Sequence, residues 1–343
     1  MNIRRLTTLL LLLCLNLLVG FMYIQPTRIM TLIGNPTVNE TEIFTESSLP
    51  INESQKVPQT PEMNFPLFFN FTLNPYDLCS KHSNNKTKLS LLILVCTAIP
   101  NIRQRQAIRA TWGSIAAANN NSGYVRLAFL LGSTTVLQEQ VEEEFYQYSD
   151  IIQQSFIDSY QNLTLKSLML LQWVSQFCPN VQYVLKTDDD MYVNVANLLN
   201  MLIRVPVKSN VMYGVLFKKA KPNRNSAAKW FVPKKQFDGS VFPDYLSGTG
   251  YVMSRDVLPK LLDASAALPF LVMEDVFITG LCASESHVRR FNVRGFAYWR
   301  RPPTGCAFKD VITGHHVTPS DMKKIWKELQ KRPLICRKSK KKI

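Results

Sequence analysis

Three short, nearly uninterrupted apolar runs constrain what this chain can fold into more than any other feature. Leu89–Cys96 (LSLLILVC), Val125–Leu131 (VRLAFLL) and Val181–Leu185 (VQYVL) lack both the length of a buried helix and a sustained polar/apolar alternation. Strands covered on both faces read this way, as in a parallel sheet between two layers of helix. The intervening segments complete the pattern. Arg103–Trp112, Gln138–Tyr148, Leu163–Phe177 and Val195–Leu202 have helical propensity, and Ile151–Phe156 reads as a further short strand. Strands alternating with helices predict an α/β fold with a mostly parallel central sheet flanked by helices. No internal repeat and no Pro/Gly/Ser linker interrupts it. One continuous domain over residues 88–336 is the simplest organisation, followed by a basic tail at 337–343.

The N-terminus has a different character. Arg4 and Arg5 precede Leu6–Ile24, nineteen residues without a charge. A helix of that length nearly crosses a hydrocarbon core of about 30 Å. The arginines predict a cytoplasmic end at residues 1–5, so the chain is read as a single-pass type II protein anchored in a membrane. A cleaved signal peptide would usually have a shorter apolar core and a small-residue cleavage site. Residues 25–87 read as an extended stem rich in Pro, Asn, Thr, Ser and Glu. Asn39, Asn52, Asn70, Asn85, Asn120 and Asn162 open N-x-[ST] sequons, which suits a lumenal body. Six cysteines follow the anchor, and an oxidising compartment favours disulfides among them. Sequence does not choose the pairing, and Cys96, inside an apolar run, can equally be a buried thiol. The net charge of +15 invites a nucleic-acid reading. The anchor and sequons contradict that reading, so no nucleic-acid partner is expected.

The chemistry concentrates in four places. Val181–Leu185 runs directly into Asp188, Asp189 and Asp190. Ligands of open α/β sheets bind beyond the carboxyl ends of strands. Three adjacent carboxylates repel one another unless a cation sits between them. Mg²⁺ or Mn²⁺ shared with substrate phosphates fits that position. A solvated acidic turn is the plainer alternative. Glu274–Asp275 also follows an apolar run, and Asp275 can be a helix cap or a general base. Gly248 and Gly250 bracket Thr249 and would let the backbone approach a ligand closely. His315–His316 can be structural, or can complete a metal site begun by carboxylates.

Together these segments resemble glycosyltransferase family 31, specifically its β1,3-galactosyltransferase branch. The resemblance covers about residues 89–335. It rests on Ile108–Trp112 (IRATW), Phe129–Gly132 (FLLG), Asp150–Lys166 (DIIQQSFIDSYQNLTLK), Lys186–Asn194 (KTDDDMYVN), Tyr245–Tyr251 (YLSGTGY) and Glu274–Phe277 (EDVF), in that order. It implies a GT-A type nucleotide-sugar transferase fold holding one Mn²⁺. Asp190 would be the metal ligand and Asp275 the base, with Asp188 and Asp189 supporting the donor. His315, four residues before Pro319, would be the second metal ligand in preference to His316. Arg103, Arg109 and Trp112 would shape the donor side, Trp230 would border the sugar pocket, and Gly248 and Gly250 would approach the cofactor-bearing donor. With the anchor, it implies a Golgi membrane enzyme. That enzyme would transfer galactose from UDP-galactose to the 3-hydroxyl of a terminal sugar, N-acetylglucosamine, on a glycoprotein or glycolipid. A β1,3-N-acetylglucosaminyltransferase of the same family is the near alternative. A non-catalytic lumenal glycan-binding protein is the distant one, and it would need neither metal nor base. Two stretches depart from the family's usual wording. Phe277 is followed by Ile278–Cys282, one residue longer than the usual V-G-L-C, and Tyr245 is preceded by Phe-Pro-Asp rather than Tyr-Pro-Pro.

Overall fold

The computed structural model describes residues 69–79, 90–118, 125–331 and 333–336. The expected anchor at 6–24 and the tail at 337–343 lie outside the described residues. Among the described residues, no helix is long and apolar enough to cross a membrane.

The strands in chain order are β1 (Phe71–Leu73), β2 (Leu91–Cys96), β3 (Val125–Ser133), β4 (Ile151–Ile157), β5 (Tyr183–Asp188), β6 (Tyr192–Val193), β7 (Val211–Gly214), β8 (Leu216–Phe217), β9 (Tyr245–Leu246), β10 (Gly250–Ser254), β11 (Arg289–Asn292) and β12 (Thr313–Gly314). Eight form one sheet in the order β1-β4-β3-β2-β5-β10-β7-β11. Its centre, β4-β3-β2-β5, is parallel throughout. β10 then runs antiparallel to both β5 and β7, and β11 pairs parallel with β7. β6 pairs with β12, and β8 with β9, as two small ribbons.

Every residue of β2 is buried. Leu92, Leu94 and Cys96 join one core, while Leu91, Ile93 and Val95 join the other. The strand alternates as any strand does, but both faces are apolar because both are covered. The helix Leu163–Phe177 supplies Leu168, Leu171 and Val174 to the first core. Ile102–Ala110 and Pro319–Leu329 close the second with Ile108, Met322 and Ile325. The last helix starts cleanly because Thr318 Oγ1 accepts the Asp321 amide at 3.2 Å, with Pro319 in its first turn.

Two expectations are corrected. The stem does not continue unpacked to residue 87, because Phe71–Leu73 pairs with β4 and Cys79 is bonded to Cys178. Its apolar residues were masked in the sequence by neighbouring Pro and Asn. The helix expected over Arg103–Trp112 spans Ile102–Ala110, and a second short helix follows at Ser114–Ala118. A second disulfide joins Cys306 to Cys336, while Cys96 and Cys282 are buried free thiols.

The sheet order positions the site. The chain steps from β2 to β3 to β4 in one direction, then returns to place β5 on the opposite flank of β2. The carboxyl ends of β2 and β5 therefore diverge at a topological switch point, where such sheets bind their ligands.

Candidate active site

The three aspartates leave β5 at that switch point, and each is held differently. Asp189 turns back to β2: its carboxylate accepts from Thr97 Oγ1 at 2.5 Å and Asn101 Nδ2 at 2.9 Å. Burial raises its pKa, and those two bonds oppose the rise. The Thr97 carbonyl is in turn held by the Lys166 ammonium, which lies 2.9 Å from Asp158. Asp158 accepts the Gly132 amide at 2.8 Å, and a Cβ at Gly132 would come within 2.7 Å of the Phe156 carbonyl. Gly132, Asp158 and Lys166 thus brace the end of β2 and, through Thr97, Asp189.

Asp188 receives the ammonium of Lys186 at 2.9 Å. That ammonium, fully buried, also reaches the Gly248 carbonyl at 2.5 Å and Glu274 at 3.3 Å. Burial raises the Asp188 carboxyl although Lys186 pulls against it.

Asp190 faces the other way. Its Oδ2 lies 3.1 Å from His315 Nε2 and 3.5 Å from His316 Nδ1. Burial alone would raise this carboxyl, but the His315 hydrogen bond and the histidine charges outweigh it and hold the pKa below the usual value. His315 Nδ1 donates to the Tyr298 carbonyl at 2.8 Å, which fixes the ring with Nε2 turned to Asp190. One ligand atom from each of Asp190, His315 and His316 falls within 4.8 Å of the others. A carboxylate with two imidazoles is a donor set that a divalent transition ion such as Mn²⁺ accepts. The sequence offered both histidines, and the resemblance preferred His315. The structure brings His316 as well, its ring stacked at 3.7 Å on that of His315.

Glu274 and Asp275 are adjacent but not equivalent. Glu274 is buried, with Ser167 Oγ and the Tyr251 hydroxyl each donating to Oε1 at 2.7 Å and Lys186 at Oε2. Asp275, partly exposed, accepts the Gly248 amide at 3.0 Å and the Val276 amide at 2.9 Å. It caps the π-helical segment Val276–Cys282. Burial, and next the charge of Glu274, push its pKa up to about 6. The capping bonds lower this pKa but do not cancel the rise, so the capping carboxylate can still exchange a proton near pH 6. Gly248 eases this contact, since a Cβ there would crowd Glu274 Oε2 at 3.1 Å and Asp275 Cβ at 3.2 Å. Gly250 lies in β10 with ordinary clearance.

The remaining expected residues separate. Trp230 is 56% exposed and shares a hydrogen bond with Tyr160. Burial raises the Tyr160 phenol, the Trp230 bond lowers it, and the charges of Asp275 and Asp188 raise it again. Lys229 Nζ lies 4.6 Å above the Tyr160 ring. Arg103 is exposed on the first turn of its helix. Arg109 is enclosed, bidentate to Asp150 at 2.7 and 2.8 Å and lying between the rings of Phe129 and Tyr148. Trp112 is 1% exposed and donates to the Met191 carbonyl at 3.1 Å. Arg109 and Trp112 therefore brace the framework, Trp112 directly beneath the aspartate turn, where it also lines a cavity with Tyr192, Asn194 and Trp326. Lys186, Tyr160 and Tyr298 were not singled out from sequence, and His316 was set second to His315. Lys186 and Tyr160 carried a local signal by standing inside the Lys186–Asn194 and Asp150–Lys166 motifs, whereas Tyr298 stands in none of the motifs.

A family model described as Galactosyltransferase matches residues 103–294. Beta-1,3-galactosyltransferase 1 of Homo sapiens is 37% identical over 278 residues, covering 79% of this chain and 82% of that protein. Beta-1,3-galactosyltransferase 2 of Homo sapiens is 36% identical over 272 residues, covering 76% and 62%. Among solved structures, a glycosyltransferase involved in the glycosylation of the major capsid of PBCV-1 is 12% identical, with a TM-score of 0.35 over 68% of this chain and 96% of that one.

Proposed function

For this chain, which belongs to the galactosyltransferase family in its β1,3-galactosyltransferase branch, we propose the transfer of galactose from UDP-galactose to a sugar 3-hydroxyl. The family makes it a glycosyltransferase with a nucleotide-sugar donor and a glycan acceptor. Our reading adds the terminal acceptor sugar, N-acetylglucosamine on a glycoprotein or glycolipid, and places the body in the Golgi lumen behind a type II anchor at residues 6–24.

Asp275 carries this reading. Its carboxylate is fixed by two amides, its pKa is raised to about 6, and among the described residues it has no ion-pair partner. It would take the proton from the acceptor hydroxyl as that oxygen attacks the anomeric carbon. The bond to the diphosphate oxygen breaks on the opposite side, so an α-linked donor gives a β1,3-linked product. Asp190, His315 and His316 would hold Mn²⁺, which when bound supplies positive charge for the leaving diphosphate. Asp188 and Asp189, locked by Lys186, Thr97 and Asn101, would orient the donor.

The test compares UDP release from UDP-galactose and UDP-N-acetylglucosamine, with an N-acetylglucosamine glycoside as acceptor, in Mn²⁺ and after chelation. Release from UDP-galactose, lost on chelation and restored by Mn²⁺, is expected. Asp275→Asn should lower kcat by about 10²–10⁴-fold while the Tm moves little. A carboxyl raised from 3.8 to about 6 carries a penalty of roughly 3 kcal/mol when ionised, which Asn removes. Asn also loses one of the two accepted amides, at about 1–3 kcal/mol, so the effects offset. Normal transfer by Asp275→Asn would remove it as the base.

A further inference from the structure

A continuous row of aromatic rings links the segment behind Asp275 to the histidine pair. Tyr245 stands in β9, which is pinned to the turn after Asp275 where the Leu246 amide donates to Thr279 Oγ1 at 2.8 Å. Phe217 of β8 stacks on Tyr245 with ring centres 5.3 Å apart and planes 28° apart. Phe217 also meets Tyr298 at 5.1 Å, and Tyr298 meets Trp299 edge-on at 5.3 Å. The backbone carbonyl of Tyr298 is the one that holds His315. Phe217 and Tyr245 are half-buried, while Tyr298 and Trp299 are 43% and 47% exposed.

Contiguous exposed rings beside a functional cleft mark a ligand surface. What they suit is a molecule with an apolar face and a polar rim. A pyranose of the gluco series presents axial C–H groups on its faces and equatorial hydroxyls at its edge. A ring face can therefore cover the C–H groups without stripping the hydroxyls of their partners. A nucleobase also stacks on aromatic rings. However, the nucleotide position expected from the topology is the β2/β5 switch point, whereas these rings follow β7 and β11 at the other end of the sheet.

We propose that Phe217, Tyr245, Tyr298 and Trp299 form the wall against which the terminal pyranose of the acceptor, a β-linked N-acetylhexosamine, packs with its 3-hydroxyl toward Asp275. This rests on Asp275 being the base. Tyr298 then has two separable roles: its carbonyl orients His315, and its ring contacts the acceptor.

The experiment is ligand-observed saturation-transfer NMR on the detergent-solubilised full-length protein, with methyl N-acetyl-β-glucosaminide and UDP as separate probes. Acceptor KM and donor KM are measured in parallel. The wild type should transfer saturation to the glycoside ring protons. Tyr298→Ala should lose most of that signal and raise the acceptor KM roughly tenfold or more, with a much smaller change in donor KM, because the backbone carbonyl at His315 is retained. Tyr298→Phe, which keeps the ring, should behave as wild type. Phe217→Ala should repeat the loss if it folds, and the more exposed Tyr298 keeps the test valid if it does not. Absence of a glycoside signal in wild type, an unchanged signal in Tyr298→Ala, or loss of the UDP signal in its place would overturn the wall. A wild type that contacts the glycoside through these rings yet transfers nothing from UDP-galactose would instead overturn the transfer reading and leave the wall standing.

Discussion

The Lys186 ammonium lies 2.9 Å from Asp188 and 3.3 Å from Glu274, so one buried cation joins the aspartate turn to the Glu274–Asp275 pair. Its pKa stands well above the usual value, because two carboxylates overcome the burial that would lower it. Asp275 is set by the same neighbours with opposite signs. Burial and the Glu274 charge raise it, whereas the two amide bonds and Lys186 lower it. A base works only when deprotonated, so transfer should fall as the pH drops through about 6. Glu274→Gln removes a negative neighbour, and the acidic limb should move to lower pH. The new amide also points a donor at Lys186, so stability should fall by about 1–3 kcal/mol. The pH dependence of kcat/KM and a urea titration measure the two effects separately. An acidic limb that stays in place, or rises, in Glu274→Gln would show that Asp275 is not the titrating group.

Among elements, the π-helical segment Val276–Cys282 explains an irregularity of the sequence. One residue more than the usual family wording follows Phe277, and a π turn takes up an extra residue without moving the helix start, so Asp275 keeps its capping position. Thr279 fastens that turn to β9: fully buried, its hydroxyl accepts the Leu246 amide at 2.8 Å and lies 2.6 Å from the Asp275 carbonyl. Thr279→Val keeps the shape but orphans a buried amide, which should cost about 1–3 kcal/mol in a urea titration. An unchanged midpoint would mean that the turn is held by packing alone. The same contrast decides what was legible in the sequence. The helices Gln138–Tyr148 and Leu163–Phe177 lie where propensity placed them, because their signal is local. The aspartate turn was legible as carboxylates at the end of an apolar strand. β6 to β12, each of two to five residues, owe their existence to distant partners: β12 pairs with β6, and β10 with β5. The tie from Asp189 to Thr97 spans 92 positions. Arg109 and Trp112 were read as donor contacts because they stand in a motif, yet a motif residue can serve the frame as readily as the ligand.

At the scale of the whole molecule, glycosylation tests the proposed lumenal placement of the body, since sequons are modified only in a lumen. Of the six sequons, those at Asn39, Asn52, Asn85 and Asn120 lie outside the described residues, which leaves two with known surroundings. The Asn70 side chain is exposed on the edge formed by β1. Asn162 is half-buried in the turn that opens the helix Leu163–Phe177, and its Nδ2 donates to the Ile157 carbonyl at 2.8 Å. Two residues on, fully buried Thr164 donates to the Leu271 carbonyl at 2.9 Å, so this turn is packed against the segment just before Glu274. A glycan on Asn162 would compete with that packing, and chains carrying it should be retained rather than reach the folded pool. In full-length protein expressed in animal cells, endoglycosidase treatment should increase gel mobility. Asn70→Gln should remove one step of that shift, and Asn162→Gln none. A chain without any endoglycosidase-sensitive shift would place the body on the cytoplasmic side and reverse the proposed orientation. Loss of a step with Asn162→Gln alone would show that the turn before the long helix opens widely enough to carry a glycan.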